Sequence, residues 1–263
     1  SYAMCTGIEP GEGKEYDIDV GLVFKENKED FEPMELKNKI FDVLENHTEY
    51  GAKIKKPCVT VTYKKDGEAS YHVDLVTYVH EDKDGWSNQL HISKGINSDS
   101  DSQKWEKADP KGLVEYINEA VDKGNKREQF RRVVRYLKKW KIQKFSDVGH
   151  VSPPSIGLTL IACDNFNYYE NDDLRSLIDV VQVIQSKFVY ERTSDNDRLL
   201  YRIKLPLPIN LDFEWDSDVF VKMSDVQMTD FKDKIDCLNR DLESVRDEVD
   251  ELEQYKKLNK IFG

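Results

Sequence analysis

The sequence predicts an α+β protein in which a mixed β-sheet domain is followed by a helical domain. The two-residue alternation of β-strands dominates the first part of the chain, and apolar residues at helical spacing dominate the second part. A polar segment at 95–110, which we expect to be a loop, separates the two patterns. We therefore divide the chain into residues 1–108 and 109–263, and we leave open that a strand-like segment at 197–211 returns to the first domain.

The first domain is predicted to open with a strand and a helix. Residues 16–24 read YDIDVGLVF, so a strand here points Asp17 and Asp19 to the same face. A helix is predicted over 33–49, because Pro33 suits a first helical turn and apolar residues follow at helical spacing. The first strand therefore carries two like charges on one face, and this arrangement needs an explanation.

A β-hairpin is predicted next in the chain. The stretches 57–64 and 70–80 are rich in β-branched and aromatic residues. They flank the dipeptide Asp66-Gly67, which is a strong signal for a tight turn between antiparallel strands. A further strand is predicted over 86–92. Together these strands supply the sheet of the first domain.

The second domain is predicted to be helical. Its helical segments are 111–123, 125–144, 152–165, 171–189 and 224–261. The last of these is charged and amphipathic, and its apolar repeat is too short and irregular for a coiled coil. We therefore expect it to pack on the surface of the domain.

Composition limits the classes of partner. The chain has 263 residues, 34% of them charged, and a formal net charge of -12 at pH 7. This balance disfavours duplex nucleic acid, whose binding depends on Lys and Arg, but a local basic pocket could still hold a small anionic substrate. No apolar run is long enough to span a membrane, so no membrane partner is expected. Cysteines without a C-x-x-C pair favour a reduced, cytoplasmic protein; they are Cys5, Cys58, Cys163 and Cys237.

A third aspartate, Asp74, lies inside the apolar run YHVDLVTYV. A buried carboxylate is costly unless it is paired. If this strand lies near that of Asp17 and Asp19, three carboxylates converge, and one or two divalent cations would remove their repulsion. The alternative is that Asp74 pairs with a nearby Lys or with His72, while the other two aspartates are exposed. Spacing alone leaves both interpretations open.

Two segments, SYAMCTGIEPGEGKEYDIDVGLVF and YHVDLV, resemble the active site of the nucleotidyltransferases related to cyclic GMP-AMP synthase. The resemblance is to their bacterial cGAS/DncV-like branch, the CD-NTases of anti-phage signalling (CBASS) systems, and it extends through the helical part. That family has a Gly-Ser turn, an Asp-x-Asp motif and a third aspartate on a neighbouring strand; the matching residues are Ser1, Asp17, Asp19 and Asp74. The family's glycine and its long N-terminal helix would precede Ser1, so we expect the complete protein to begin earlier.

The resemblance implies a fold and a mechanism. The fold would be a polymerase β-like nucleotidyltransferase core followed by a helical domain, with the active site in the cleft between them. Asp17 and Asp19 would bind two Mg²⁺ ions, or Mn²⁺ in their place. Asp74 would bind one of these ions and could accept a proton from the attacking hydroxyl group. NTPs would be the substrates.

The triphosphate of the substrate also needs cationic or N–H partners. Lys138 lies in the basic stretch 126–141 and matches a triphosphate-contacting lysine of the related oligoadenylate synthetases, so the resemblance implies the same role. Ser155 begins a predicted helix, where backbone N–H groups suit an anion. Ser1 would contact the phosphates through its hydroxyl and its backbone N–H. The other basic side chains of the stretch are expected to face solvent.

The implied function is synthesis of a cyclic di- or trinucleotide second messenger from ATP, GTP or pyrimidine NTPs, with release of pyrophosphate. Family context adds a downstream effector that senses the product and, for some relatives, conjugation of the C-terminus by ubiquitin-like machinery. Three alternatives remain open. They are a linear nucleotidyltransferase acting on oligonucleotides or macromolecules, a catalytically silent nucleotide-binding scaffold, and an interaction module built on the acidic C-terminal helices.

Overall fold

The computed structural model of the chain describes residues 3–9, 16–65, 68–82, 89–146, 148–209 and 218–263. The chain divides into two compact units. The sheet unit holds the described residues of 9–110, and the helical unit holds residues 3–8 together with the described residues from 111 onward. The α+β fold class that the sequence predicts is confirmed.

The sheet unit is built on one mixed six-stranded sheet. Its elements are β1 (Tyr16–Asn27), α1 (Pro33–Leu44), β2 (Ala52–Ile54), β3 (Val59–Lys65), β4 (Glu68–His80), β5 (Leu90–Ile96) and β6 (Asp99–Ala108). Strands β2 to β6 are antiparallel neighbours in chain order. Strand β1 pairs with β4 in parallel. The predicted hairpin is confirmed by the pairing of β3 with β4, although its turn residues Asp66-Gly67 lie outside the described residues.

The predicted loop at 95–110 is wrong, because most of this segment forms strand β6. It pairs with β5, and Glu106 forms ion pairs with Lys94 on β5 and with Lys104, whose Nζ lies 3.1 Å away. The Trp105 indole N–H donates to the carbonyl of Phe31 at 2.9 Å. The strand is thus stabilised by polar cross-strand contacts, and its sequence lacks the apolar alternation that identifies half-buried strands.

In the described part of the chain, the helical unit contains six helices and a short hairpin. Its elements are α2 (Pro110–Glu119), α3 (Asn125–Lys144), α4 (Ser155–Asp164), α5 (Asp173–Ser186), β7 (Val189–Thr193), β8 (Leu199–Arg202), α6 (Asp225–Arg246) and α7 (Glu251–Phe262). The helices pack on one hydrophobic core, to which α2 contributes Ile117. The predicted apolar face of α3 is buried: Val133, Val134 and Leu137 are 0% exposed and Trp140 is 1% exposed. In the described part of the chain, no helix is long and apolar enough to cross a membrane.

Two segments differ in place from the sequence interpretation. Within the strand-like segment 197–211, β8 pairs with β7 of the helical unit, and the Tyr201 N–H donates to Thr229 Oγ1 of α6 at 2.9 Å. The predicted first domain includes residues 3–8, but these residues cluster with the helical unit. Arg135 on α3 holds this segment by donating to the carbonyl of Cys5 at 2.8 Å.

Candidate active site

The pairing of β1 with β4 decides where the predicted carboxylates lie. In this parallel register Asp17 is opposite His72, and Asp19 is opposite Asp74. On the other side of β4, Thr60 of β3 is opposite Asp74. Residues paired across neighbouring strands point to the same face of a sheet. The register therefore puts all three predicted carboxylates on one face, with Asp19, Asp74 and Thr60 in a single row.

The carboxylate of Asp74 has two partners within the sheet unit. The Thr60 hydroxyl donates to Asp74 Oδ1 at 2.5 Å, and Lys55 Nζ lies 3.7 Å from the same oxygen. The Asp74 side chain is 19% exposed, so these partners stabilise a charge that is largely removed from water. The alternative interpretation is thus realised, because Asp74 pairs with a nearby lysine and Asp17 and Asp19 are exposed, while the register also sets Asp19 beside Asp74. His72 instead has its Nδ1 3.0 Å from the Thr62 hydroxyl.

Asp19 is exposed, but its surroundings disfavour its charged form. The pKa of Asp19 is raised, first because nearby protein atoms remove its carboxyl group from water and second because the charge of Asp74 repels it. The charge of Asp17 acts in the same direction, and Lys55 acts in the opposite one. The raised pKa of Asp19 agrees with the register, which sets this residue beside Asp74.

The three aspartates fit a hard divalent cation in chemistry, although their side chains are not a preformed cage. Among the residues that the structure describes, no three or more His, Cys, Asp or Glu side chains are arranged to hold a metal ion. Carboxylate oxygens are the protein ligands that Mg²⁺ and Mn²⁺ prefer. A bound cation would remove the repulsion that raises the pKa of Asp19. The chemistry of the donor set therefore fits such an ion.

A glycine lets an aromatic ring approach the carboxylates. Gly21 follows Asp19 on the same face of β1, and a Cβ atom at Gly21 would lie 3.2 Å from Cε2 of Tyr78. Tyr78 is 9% exposed, and its pKa is raised by burial and by the charge of Asp19. The ring thus lies against the backbone of β1 beside Asp19.

The predicted triphosphate residues of the helical unit lie among other basic groups. Lys138 is 4% exposed and donates to the carbonyl and the hydroxyl of Thr6, at 2.8 and 3.0 Å. The pKa of Lys138 is lowered to about 8, mainly by burial and further by the charges of Lys141 and Arg135. Ser155 begins α4, as the sequence predicts, and its hydroxyl accepts from Lys141 at 2.8 Å. Ser1 lies outside the described residues.

Sequence reasoning missed several residues that contact the predicted ones. Thr60 could have been found, because the alternation in PCVTVTYK places Thr60 and Thr62 on the same face of the hairpin partner of Asp74. Lys141 lies one turn beyond Lys138 on α3, so helical spacing alone links the two. No local sequence pattern identifies Lys55, because its approach to Asp74 depends on the fold.

The comparison with protein families identifies the segment that carries the carboxylates. Residues 1–78 match the model described as the cyclic GMP-AMP synthase DncV-like nucleotidyltransferase domain. Residues 1–78 are therefore similar to the DncV-like nucleotidyltransferase family. This segment includes Asp17, Asp19 and Asp74, the residues on which the resemblance rested. The predicted recognition of a bacterial cGAS/DncV-like nucleotidyltransferase is confirmed.

Individual relatives support the same family and fold. A cyclic GMP-AMP synthase of Escherichia albertii is 22% identical over 211 residues, which are 76% of this chain and 44% of that protein. The crystal structure of the Vibrio cholerae DncV cyclic AMP-GMP synthase superposes with a TM-score of 0.74 at 20% identity, over 100% of this chain and 66% of that chain. The structure of its complex with nonhydrolyzable GTP superposes with a TM-score of 0.69 at 20% identity, over 97% of this chain and 64% of that chain. The chain thus spans less than half the length of the E. albertii protein and about two thirds of the V. cholerae chain. The structural match confirms the DncV-like nucleotidyltransferase fold.

Proposed function

We propose that the chain is a metal-dependent nucleotidyltransferase that makes a cyclic di- or trinucleotide second messenger from NTPs and releases pyrophosphate. The observation that carries the proposal is the parallel register of β1 and β4, which sets Asp19 beside Asp74 with Asp17 on the same face. All three aspartates lie within the segment that matches the DncV-like nucleotidyltransferase domain. Solved structures of the similar Vibrio DncV protein are described with ATP and GTP and with a linear pppApG intermediate, which supports NTPs as the substrates here.

The carboxylates would hold two Mg²⁺ ions, or Mn²⁺, as the donor set allows. When bound, such ions stabilise the charge on the attacking and leaving oxygens of a phosphoryl displacement. Asp17 and Asp19 would be ligands of both ions, and Asp74 would be a ligand of one and would accept the proton of the attacking hydroxyl. The hydrogen bond from Thr60 restricts rotation of the Asp74 carboxylate, so it keeps that group oriented for both tasks.

The helical unit would supply contacts to the triphosphate. We assign Lys138 and Ser155 to this role, with Ser1 as a third residue, as the family resemblance implies. Because the pKa of Lys138 is about 8, its ammonium is largely protonated at neutral pH and can pair with phosphate. Phosphate would then replace the Thr6 oxygens as acceptors of its protons. Lys141 would extend the same basic surface through its contact with Ser155.

Biological partners are proposed from the family alone. We expect a role in CBASS-type anti-phage defence, with a separate effector that senses the product and a possible conjugation of the C-terminus by ubiquitin-like machinery. ATP, GTP and the pyrimidine NTPs are all candidate substrates. Cytoplasmic localisation stays a prediction. A pull-down of tagged protein before and after phage infection would test the conjugation partner separately from the chemistry.

The activity is tested with the full-length protein, Mg²⁺ or Mn²⁺, and all four NTPs, each labelled in turn. We expect release of pyrophosphate and a product that resists phosphatase, identified by mass spectrometry. Asp17→Asn combined with Asp19→Asn should abolish turnover, whereas Asp42→Asn, an exposed carboxylate on α1, should not change it. A phosphatase-sensitive product would instead indicate a linear nucleotidyltransferase. NTP binding without turnover under any metal would indicate the silent scaffold and refute the proposal.

A further inference from the structure

We propose that Lys55 is the resident counter-cation of Asp74, and that a divalent ion binds the Asp19–Asp74 pair by displacing the Lys55 ammonium. The inference rests on the metal site of the proposed function and adds a residue that neither the sequence analysis nor the comparisons assign to it. Lys55 would neutralise the Asp74 carboxylate in the absence of a metal ion.

Lys55 places its charge next to the Asp74 carboxylate. Its Nζ lies 3.7 Å from Asp74 Oδ1, the oxygen that also accepts from Thr60. The ammonium thus stabilises the charge of the Asp74 carboxylate, which is also the task proposed for a divalent ion.

The position of Lys55 is built by the fold. The Lys55 N–H donates to the carbonyl of Cys58 at 2.9 Å, and the Cys58 N–H donates back to the carbonyl of Lys55 at 3.3 Å. The fully buried Lys37 of α1 donates from Nζ to the carbonyls of Lys56 at 2.9 Å and Gly95 at 3.0 Å, with a longer contact of 3.4 Å to Lys55. The backbone of the turn is therefore held from α1 and β5, which directs the Lys55 side chain at Asp74.

The same geometry allows Lys55 to leave. Its side chain is 48% exposed, compared with 19% for Asp74, so the ammonium can move into water while the carboxylate stays in place. An ammonium and a divalent ion that remained about 6 Å apart in water-like surroundings would repel each other enough to change affinity about tenfold. Displacement of Lys55 is therefore part of the free energy of metal binding.

The test measures Mn²⁺ binding to the full-length, NTP-free protein by the electron paramagnetic resonance signal of free Mn²⁺. We expect Lys55→Gln to bind Mn²⁺ about tenfold more tightly than the wild type. Lys55→Arg keeps the charge and should bind like the wild type. Lys56→Gln removes the neighbouring exposed charge of the same turn and should change the affinity less than about twofold. Asp74→Asn should weaken binding in every background.

The outcomes separate this inference from the metal site itself. If Asp74→Asn weakens Mn²⁺ binding but Lys55→Gln leaves it unchanged or weaker, the metal site stands and the role of Lys55 is refuted. If Lys55→Gln and Lys56→Gln increase the Mn²⁺ affinity equally, the effect comes from net charge alone, and the role of Lys55 is also refuted. If Asp74→Asn has no effect, the ion binds elsewhere, and both the metal site and the inference fail. Thermal unfolding of each variant measures whether it is folded, because Lys55 and Lys56 are exposed but the Asp74 side chain is only 19% exposed.

Discussion

Replacing the buried Lys37 by methionine tests how the turn that carries Lys55 is held. Methionine keeps the length of the side chain but removes the donors to Lys56 and Gly95, which accept at 2.9 and 3.0 Å. Hydrogen bonds from a charged donor contribute about 1.5–3 kcal/mol each, so losing two costs about 3–6 kcal/mol. Burial lowers the pKa of Lys37 from 10.5 to about 8, which corresponds to a cost of about 3 kcal/mol for the charged form. The net destabilisation at neutral pH is therefore about 0–3 kcal/mol.

The difference between wild type and Lys37→Met should depend on pH. Below about pH 8 Lys37 is protonated in both the folded and the unfolded chain, so the difference is constant. Between about pH 8 and 10.5 the unfolded chain keeps a proton that the folded chain has lost. The wild type therefore gains about 1.4 kcal/mol of stability per pH unit relative to the variant, or about 2 kcal/mol by about pH 9.5. Lys138, whose pKa is also about 8, is present in both proteins and cancels.

Urea unfolding at about pH 7 and about pH 9.5, followed by circular dichroism, measures both free energies of unfolding. Lys39→Met is the matched control, because Lys39 lies on the same helix with its side chain 58% exposed. Its small effect should be the same at both pH values. The difference in free energy of unfolding between wild type and Lys37→Met should increase at the higher pH. If it stays constant or decreases, Lys37 keeps its proton in the folded state. The reasoning about its burial would then be wrong.

Two further changes test the carboxylate face. Thr60→Val removes the hydrogen bond to Asp74 with little change in volume, and we expect pyrophosphate release to slow at least about tenfold; an unchanged rate would exclude a role for Thr60 in orienting that carboxylate. Gly21→Ala places a Cβ 3.2 Å from the Tyr78 ring and should lower stability by about 1 kcal/mol in thermal unfolding. Gly7→Ala, with no atom within 4 Å of its Cβ, should lack this crowding penalty.

Local patterns in the sequence predicted the elements that local interactions determine. Strand β1, the start of α1 and the β3–β4 hairpin follow from alternation, from Pro33 and from an Asp-Gly turn signal. Helix α3 over Asn125–Lys144 has the predicted bounds, because its apolar residues repeat at helical spacing. Strand β6 escaped prediction because its stability comes from pairing with β5, and the cross-strand ion pair of Glu106 with Lys94 leaves no periodic apolar signal.

The sequence predicts the aspartates of the candidate site, but it does not predict the residues that surround them. Asp17 and Asp19 share a face by their spacing alone, but their approach to Asp74 requires β1 to pair in parallel with a strand that is distant in sequence. The approach of Lys55 to Asp74 depends on a turn held by Lys37 from another element. Contacts of this kind arise only when several elements pack, so residue spacing cannot reveal them.

The opposite face of the sheet explains why the carboxylates meet. Two apolar rows cross β1, β4 and β3 there, and they are Ile18–Val73–Val61 and Val20–Leu75–Val59. Val59 and Val61 are 0% exposed, so these rows are anchored in the core of the sheet unit. A slip of one residue between β1 and β4 would break both rows and would set Asp19 against an apolar neighbour on the opposite face. These rows are buried at β3, whereas Ile18 at the β1 end is 46% exposed. The register that brings Asp19 beside Asp74 is therefore the one that keeps the apolar rows aligned, and the proposed chemistry depends on the packing of the residues adjacent to Asp19.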